Sequence, residues 1–201
     1  MKTEITKAAA RATIYKQLAR GFLYPSETLQ ADLTSGDYSE SLFQAAKELD
    51  MDAKIDLPDN YEELVSDYIY YFDIGNRQPP CAPYAGIYFE NAKRSAVLLQ
   101  LSEVYKNFGL QIADKPHELQ DHLSVELEFM YFLCFKEIQS LREEDAYLKG
   151  YRRAQEDFLK QHLMFWLPGF LKIVEEKCQN NFYRSLASLC SEFVVNDAAS
   201  L

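Results

Sequence analysis

Residues 116–135 read PHELQDHLSVELEFMYFLCF. Leu123, Leu127, Met130 and Cys134 recur at spacings of four, three and four, the pattern of one apolar face on an α-helix. The polar beginning of the stretch comes close to the zinc-protease motif H-E-x-x-H. That motif works because residues four apart lie about 40° from each other around a helix. Here His117 and His122 are five apart, which is about 140° of rotation, so two rings on a continuous helix cannot face one ion. Pro116 is tolerated in a turn or at a helix start and not in a helix interior. The stretch therefore reads as the start of a helix. Asp121 is the expected N-cap, and His122 and Glu126, four apart, share a face near the positive helix end. Glu126 and Glu128 lie about 200° apart and do not form an acid/base pair.

Working outward, the other apolar clusters have the same period. A first helix is expected over 4–24, stopped by Pro25, with a second short one after Ser26. Asp59 and Glu62 have the form of a capping box ahead of Leu64, Val65, Tyr68 and Phe72. Val97, Leu101, Val104 and Phe108 form a stripe that Gly109 ends. The helix after Asp121 is expected to run to the acidic residues near 144 or to Gly150, followed by helices at about 151–165 and 168–178. Phe182, Leu186, Leu189 and Phe193 form the last stripe, begun through Asn181. No convincing period-2 strand appears, so the fold class is all-α and single-domain. The stretch GNRQPPCAPYAG at 75–86 excludes regular structure and joins two helical halves, 1–74 and 87–201.

Composition excludes several classes. At 201 residues and 48% hydrophobic content the chain can bury a substantial core. Its densest apolar run, FMYFLCF at 129–135, is far short of the ~20 residues that span a bilayer, so no membrane span is expected. A formal charge of -10 argues against nucleic acid as a partner. The first 25 residues intersperse charge with apolar residues and lack the layout of a signal peptide, which predicts a cytoplasmic protein. Cys81, Cys134, Cys178 and Cys190 are widely spaced without C-x-x-C and read as free thiols. Neither G-x-x-x-x-G-K nor G-x-G-x-x-G occurs, and no cofactor or metal is expected. His162 and Trp166, one turn apart, read as packing residues. Arg152–Arg153 lie mid-chain before Glu156 and Asp157, which rules out an export signal.

Three stretches together resemble the TorD/DmsD/NarJ family of cytoplasmic chaperones for molybdenum-cofactor oxidoreductases. DYIYYFDIGNRQPPCAPYAGIY at 67–88 is similar to that family's aromatic helix, proline-rich turn and P-Y-x-S-x-Y-like opening. DHLSVELEFMYFL at 121–133 looks like its D-H-x-x-x-E-L-x-F signature, and FLKQHLMFWLPGFLKIVEEKCQNNFYRSLASL at 158–189 is similar to its H-L-x-x-W…F-Y-x-x-L ending. Gln120 stands where the family often has proline, and Gly86 where it commonly has serine.

The resemblance implies no enzymatic activity. It implies binding of the N-terminal twin-arginine leader of a molybdoenzyme catalytic subunit, together with the body of that subunit, so that export waits for cofactor insertion. A leader offers a basic pair and an apolar stretch, so its receptor needs an apolar groove with carboxylates at one end. Tyr68, Tyr71, Phe72, Pro83, Tyr84 and Tyr88 are the candidates for the groove, with Asp121, His122 and Glu126 at its polar end. An aromatic stripe at helical spacing is more often core, so several of these are expected to support the groove from behind. Two other readings compete: a helical metalloenzyme using His117, Glu118, His122 and Glu126 across a sharp bend, and a helical scaffold that docks a folded partner. The chain is expected to be a monomer or a dimer that exchanges helices across 75–86.

Overall fold

The computed structural model describes residues 2–73, 78–89, 94–111 and 118–201. Residues 75–77 of the Pro-rich stretch, Pro116 and His117 lie outside the described residues.

The first helix, α1 (Lys2–Gly21), ends where Gly21 meets the core so closely that a Cβ there would lie 2.6 Å from Leu186 Cδ2 and 2.7 Å from Tyr38 Oη. Pro25 follows, and the Ser26 hydroxyl accepts the Leu29 N–H to start α2 (Glu27–Ser35), as the sequence predicts. Gly36, with φ 87°, turns directly into α3 (Asp37–Glu48), which has no counterpart among the expectations above. Then comes α4 (Tyr61–Phe72). Its N-cap is Asn60 and not Asp59, because Asn60 has the extended backbone and its Oδ1 accepts from the N–H groups of Glu62 and Glu63.

Helix α5 (Arg94–Asn107) is followed by Gly109 at φ 74°, the left-handed stop expected there. Helix α6 (Leu123–Glu143) closes with Glu144 in the left-handed region, in the acidic stretch, well before Gly150. The expected break near residue 166 is not found. Helix α7 (Leu148–Phe158) runs through a π turn, Leu159–Leu163, into α8 (Met164–Lys177), which keeps Pro168 inside it. The helical irregularity falls one turn ahead of the proline. Asn180 caps α9 (Asn181–Ser200), one residue before the expected cap.

The described residues contain no strand, and the fold is all-α. Helix α1 packs mainly on α6 and also on α3 and α9, α7 packs on α6, and α8 on α9. Buried residues from both sides of the Pro-rich stretch form one hydrophobic cluster. The rings of Phe22, Tyr68, Phe72, Phe170 and Tyr183 meet within it. All four cysteines are free and buried, and burial pushes the Cys134 thiol up to about 12 and Cys178 to about 11. No helix among the described residues is long and apolar enough to cross a membrane.

Candidate functional site

The first turn of a helix leaves backbone N–H groups without partners. At α6 the Pro-rich segment supplies one of the missing acceptors. The Pro83 carbonyl accepts the Leu123 N–H at 2.8 Å, the Asp121 carbonyl accepts the Ala85 N–H at 2.8 Å, and Tyr84 and His122 form an isolated antiparallel bridge. Residues 78–89 are thus sewn to the beginning of α6, and the Cys81 N–H donates to the Tyr71 carbonyl at the end of α4.

The N-cap of α6 is His122 and not Asp121. His122 has the extended backbone, and its Nδ1 accepts from the Ser124 N–H at 3.2 Å, with Ser124 Oγ at 2.6 Å. Since Nδ1 accepts, the neutral ring carries its proton on Nε2. Burial lowers its pKa to about 3, so the ring is uncharged at neutral pH and its 3.9 Å approach to Glu118 is not an ion pair.

Freed from capping, the Asp121 side chain turns to the Pro-rich segment. Its Oδ2 accepts from the Gly86 N–H at 3.1 Å and from Arg94 Nε at 3.1 Å, and its Oδ1 accepts from Arg94 Nη2 at 3.3 Å. The Arg94 guanidinium carbon lies 4.8 Å from the centre of the Tyr84 ring. Tyr84 is half-buried, donates its hydroxyl to Glu118 Oε2 at 3.0 Å, and meets the His122 ring edge-on at 5.0 Å. Burial, then the Glu118 charge, holds its phenol well above the usual tyrosine range. Gly86, the departure from the family's usual serine, has a local cause. A Cβ there would fall 2.5 Å from Arg94 Cγ and 2.9 Å from Asp121 Oδ2.

One turn into α6, Glu126 is fully buried and serves a different contact. Its two oxygens accept from His162 Nε2 at 2.8 Å and Trp166 Nε1 at 3.0 Å, and desolvation raises its pKa. Tyr88 stacks on Trp166 and Phe89 on His162, so the end of the Pro-rich segment rests on side chains that Glu126 holds.

Of the predicted site residues, the structure brings together Pro83, Tyr84, Asp121 and His122, with Tyr88 behind them against α8. Tyr68, Tyr71 and Phe72 lie on the buried side of α4. Glu126 sits below, with its own partners. In the metalloenzyme reading His122 and Glu126 would share an ion, but both are engaged elsewhere by these bonds, and His117 lies outside the described residues. The sequence reading missed Arg94 at this corner and the pairing of Glu118 with Tyr84. A lone cation at a helix start carries no spacing signal toward a carboxylate 27 residues away.

The profile of the family described as nitrate reductase delta subunit matches residues 36–172. The perchlorate reductase assembly chaperone protein of Dechloromonas aromatica (strain RCB) is 30% identical over 200 residues, covering 94% of this chain and 89% of that protein. The chain belongs to the TorD/DmsD/NarJ family of redox-enzyme maturation chaperones. The selenate reductase assembly chaperone protein of Thauera selenatis is also 30% identical, over 87% of this chain and 82% of its own length. Chaperone protein TorD of Vibrio cholerae matches at 30% over 67% of this chain and 60% of that protein. As a TorD/DmsD/NarJ chaperone the protein is not an enzyme. Its fold is that of a putative redox enzyme maturation protein from Archaeoglobus fulgidus, with a TM-score of 0.55 and 23% identity over 92% of this chain and 93% of that one.

Proposed function

We propose that this chaperone binds the N-terminal twin-arginine leader of a molybdenum-cofactor reductase subunit in the cytoplasm and holds the subunit back from export until its cofactor is in place. The relatives named as reductase assembly chaperones support a reductase as client. The observation that carries the leader reading is the corner at residues 84 and 121. A carboxylate that takes a guanidinium at two points lies beside an aromatic ring whose face takes the same cation. A leader's arginine can make both contacts. The Pro-rich segment, with exposed Ile87 and half-buried Tyr88, is apolar surface next to it for the leader's hydrophobic stretch. Buried Tyr68, Tyr71, Phe72 and Glu126 support that surface from beneath.

The two kinds of contact respond differently to salt. Charge attraction weakens as the screening length falls from ~10 Å at 0.1 M to ~3 Å at 1 M, whereas apolar burial does not. Calorimetry with a synthetic peptide carrying an arginine pair and an apolar stretch is expected to give binding to the full chain that weakens with salt. Tyr84→Ala should weaken binding about tenfold or more at every salt concentration, as for a central aromatic contact. Asp121→Asn should weaken it mainly at low salt. Wild-type affinity in both variants, with both folded, would remove the leader site from this corner.

A further inference from the structure

Arg94 makes, within the chain, the contacts that a peptide's arginine would need. Its Nε and Nη2 lie 3.1 and 3.3 Å from the two oxygens of Asp121, and its guanidinium lies over the Tyr84 ring. These distances exceed the 2.7–2.9 Å of tight charge-assisted bonds. The Asp121 side chain is wholly inaccessible, yet the Arg94 side chain lying on it is 40% exposed. Lifting Arg94 would open the carboxylate to an incoming group, and the Gly86 N–H would still hold Oδ2.

We infer that Arg94 is an autoinhibitory occupant of the Asp121–Tyr84 corner, displaced when a guanidinium of the bound peptide takes its place; this rests on the leader reading above. Exchange of one guanidinium for another never leaves a buried carboxylate bare, the situation that makes breaking such a pair expensive. It also selects arginine over lysine, because an ammonium cannot make the two-point contact or lie flat on the ring. Apparent affinity is lowered by the fraction of molecules in which Arg94 is seated, so removing Arg94 raises it.

The test is calorimetry of the full chain with a synthetic Arg-Arg peptide bearing an apolar stretch, its Lys-Lys counterpart, and N-acetylarginine amide. Arg94→Ala is expected to bind the Arg-Arg peptide roughly fivefold more tightly than wild type, the size of a partly exposed ion pair, with a smaller gain for Lys-Lys. Equal or weaker binding by Arg94→Ala, while wild type still binds, overturns the autoinhibition and leaves the leader reading intact. If neither protein binds the peptides, the leader reading fails. The corner is then judged on N-acetylarginine amide, whose binding to Arg94→Ala and not to wild type sustains the inference and whose absence overturns it. Should Arg94→Ala fail to fold, Arg94→Lys, which keeps the charge and loses the fork, is expected to shift affinity in the same direction, and no shift overturns the inference.

Discussion

Arg11 and Arg94 each meet a buried aspartate, and the corners they make are built differently. Arg11 is buried where α1, α6, α7 and α9 meet. Its guanidinium donates to both oxygens of Asp197, to Glu137 Oε2 at 2.9 Å and to Gln155. The Tyr15 hydroxyl donates to Asp197 Oδ2 at 2.6 Å, and Arg152 Nε to Glu137 Oε1 at 2.7 Å. Arg94 rests on one carboxylate and one ring face, with a large part of its side chain in solvent. The chemistry is the same and the consequence differs. A guanidinium whose donors are spent on buried partners from several helices fixes those helices, whereas one held at the surface can be exchanged. That contrast, and not the presence of an Arg–Asp pair, separates a structural corner from a candidate binding corner.

The largest test of the contrast is on the sealed side. Arg11→Ala leaves Asp197 and Glu137 buried without their cation and is expected to cost about 3–5 kcal/mol in equilibrium urea unfolding. A loss below about 1 kcal/mol would erase the distinction between the corners.

Glu126→Gln comes next. A Gln amide can accept from only one of His162 and Trp166 and presents N–H to the other, with an expected loss of about 1–3 kcal/mol. Trp166 is the only tryptophan, so its emission reports the change directly. Unchanged emission and unchanged stability would show that Glu126 does not brace the segment carrying Tyr88.

A smaller effect is confined to acid. His122 takes up a proton less readily folded than unfolded, so its contribution is present above the unfolded value near 6.5 and is lost as pH falls toward about 3. The side chains facing it are Glu118, Ser124 and Tyr84. Stability is expected to drop by about 1 kcal/mol between about pH 7 and 5.5 on this account. His122→Asn, which keeps a capping oxygen, should flatten that slope; an unchanged slope assigns the acid loss to other groups. Glu126, raised by burial, works in the opposite sense, favouring the folded state on the acid side of its shifted value. The smallest effect is expected at Asp32→Asn, which breaks the half-exposed contact with Arg20 and should change stability by no more than about 1 kcal/mol.

Much of the fold is legible along the chain, because helical periodicity is local. Leu123, Leu127, Met130 and Cys134 are all buried, Ser26 caps α2, and Gly109 takes the left-handed backbone after α5. Cap positions are less legible. Asn60 replaces Asp59, His122 replaces Asp121, and Asn180 replaces Asn181, because neighbouring residues of capping type compete and backbone dihedrals decide between them. For α3, Tyr38, Leu42 and Ala45 carry the right spacing, and all are buried.

The sequence by itself determined an all-α chain, its Pro-rich interruption and, through three motifs in order, its family. Those signals depend on spacing over a few residues or on residue identity. Only the tertiary structure decided what each polar group of the second motif does. Asp121 turns from the helix it precedes toward Gly86 and Arg94, His122 takes over the cap, and Glu126 reaches into the core for His162 and Trp166. Apart from Ser124 in α6 itself, those partners lie on the Pro-rich segment, α5, the π turn and α8. A buried or half-buried polar side chain is assigned by whichever distant donors close around it, and that choice has no period along the chain.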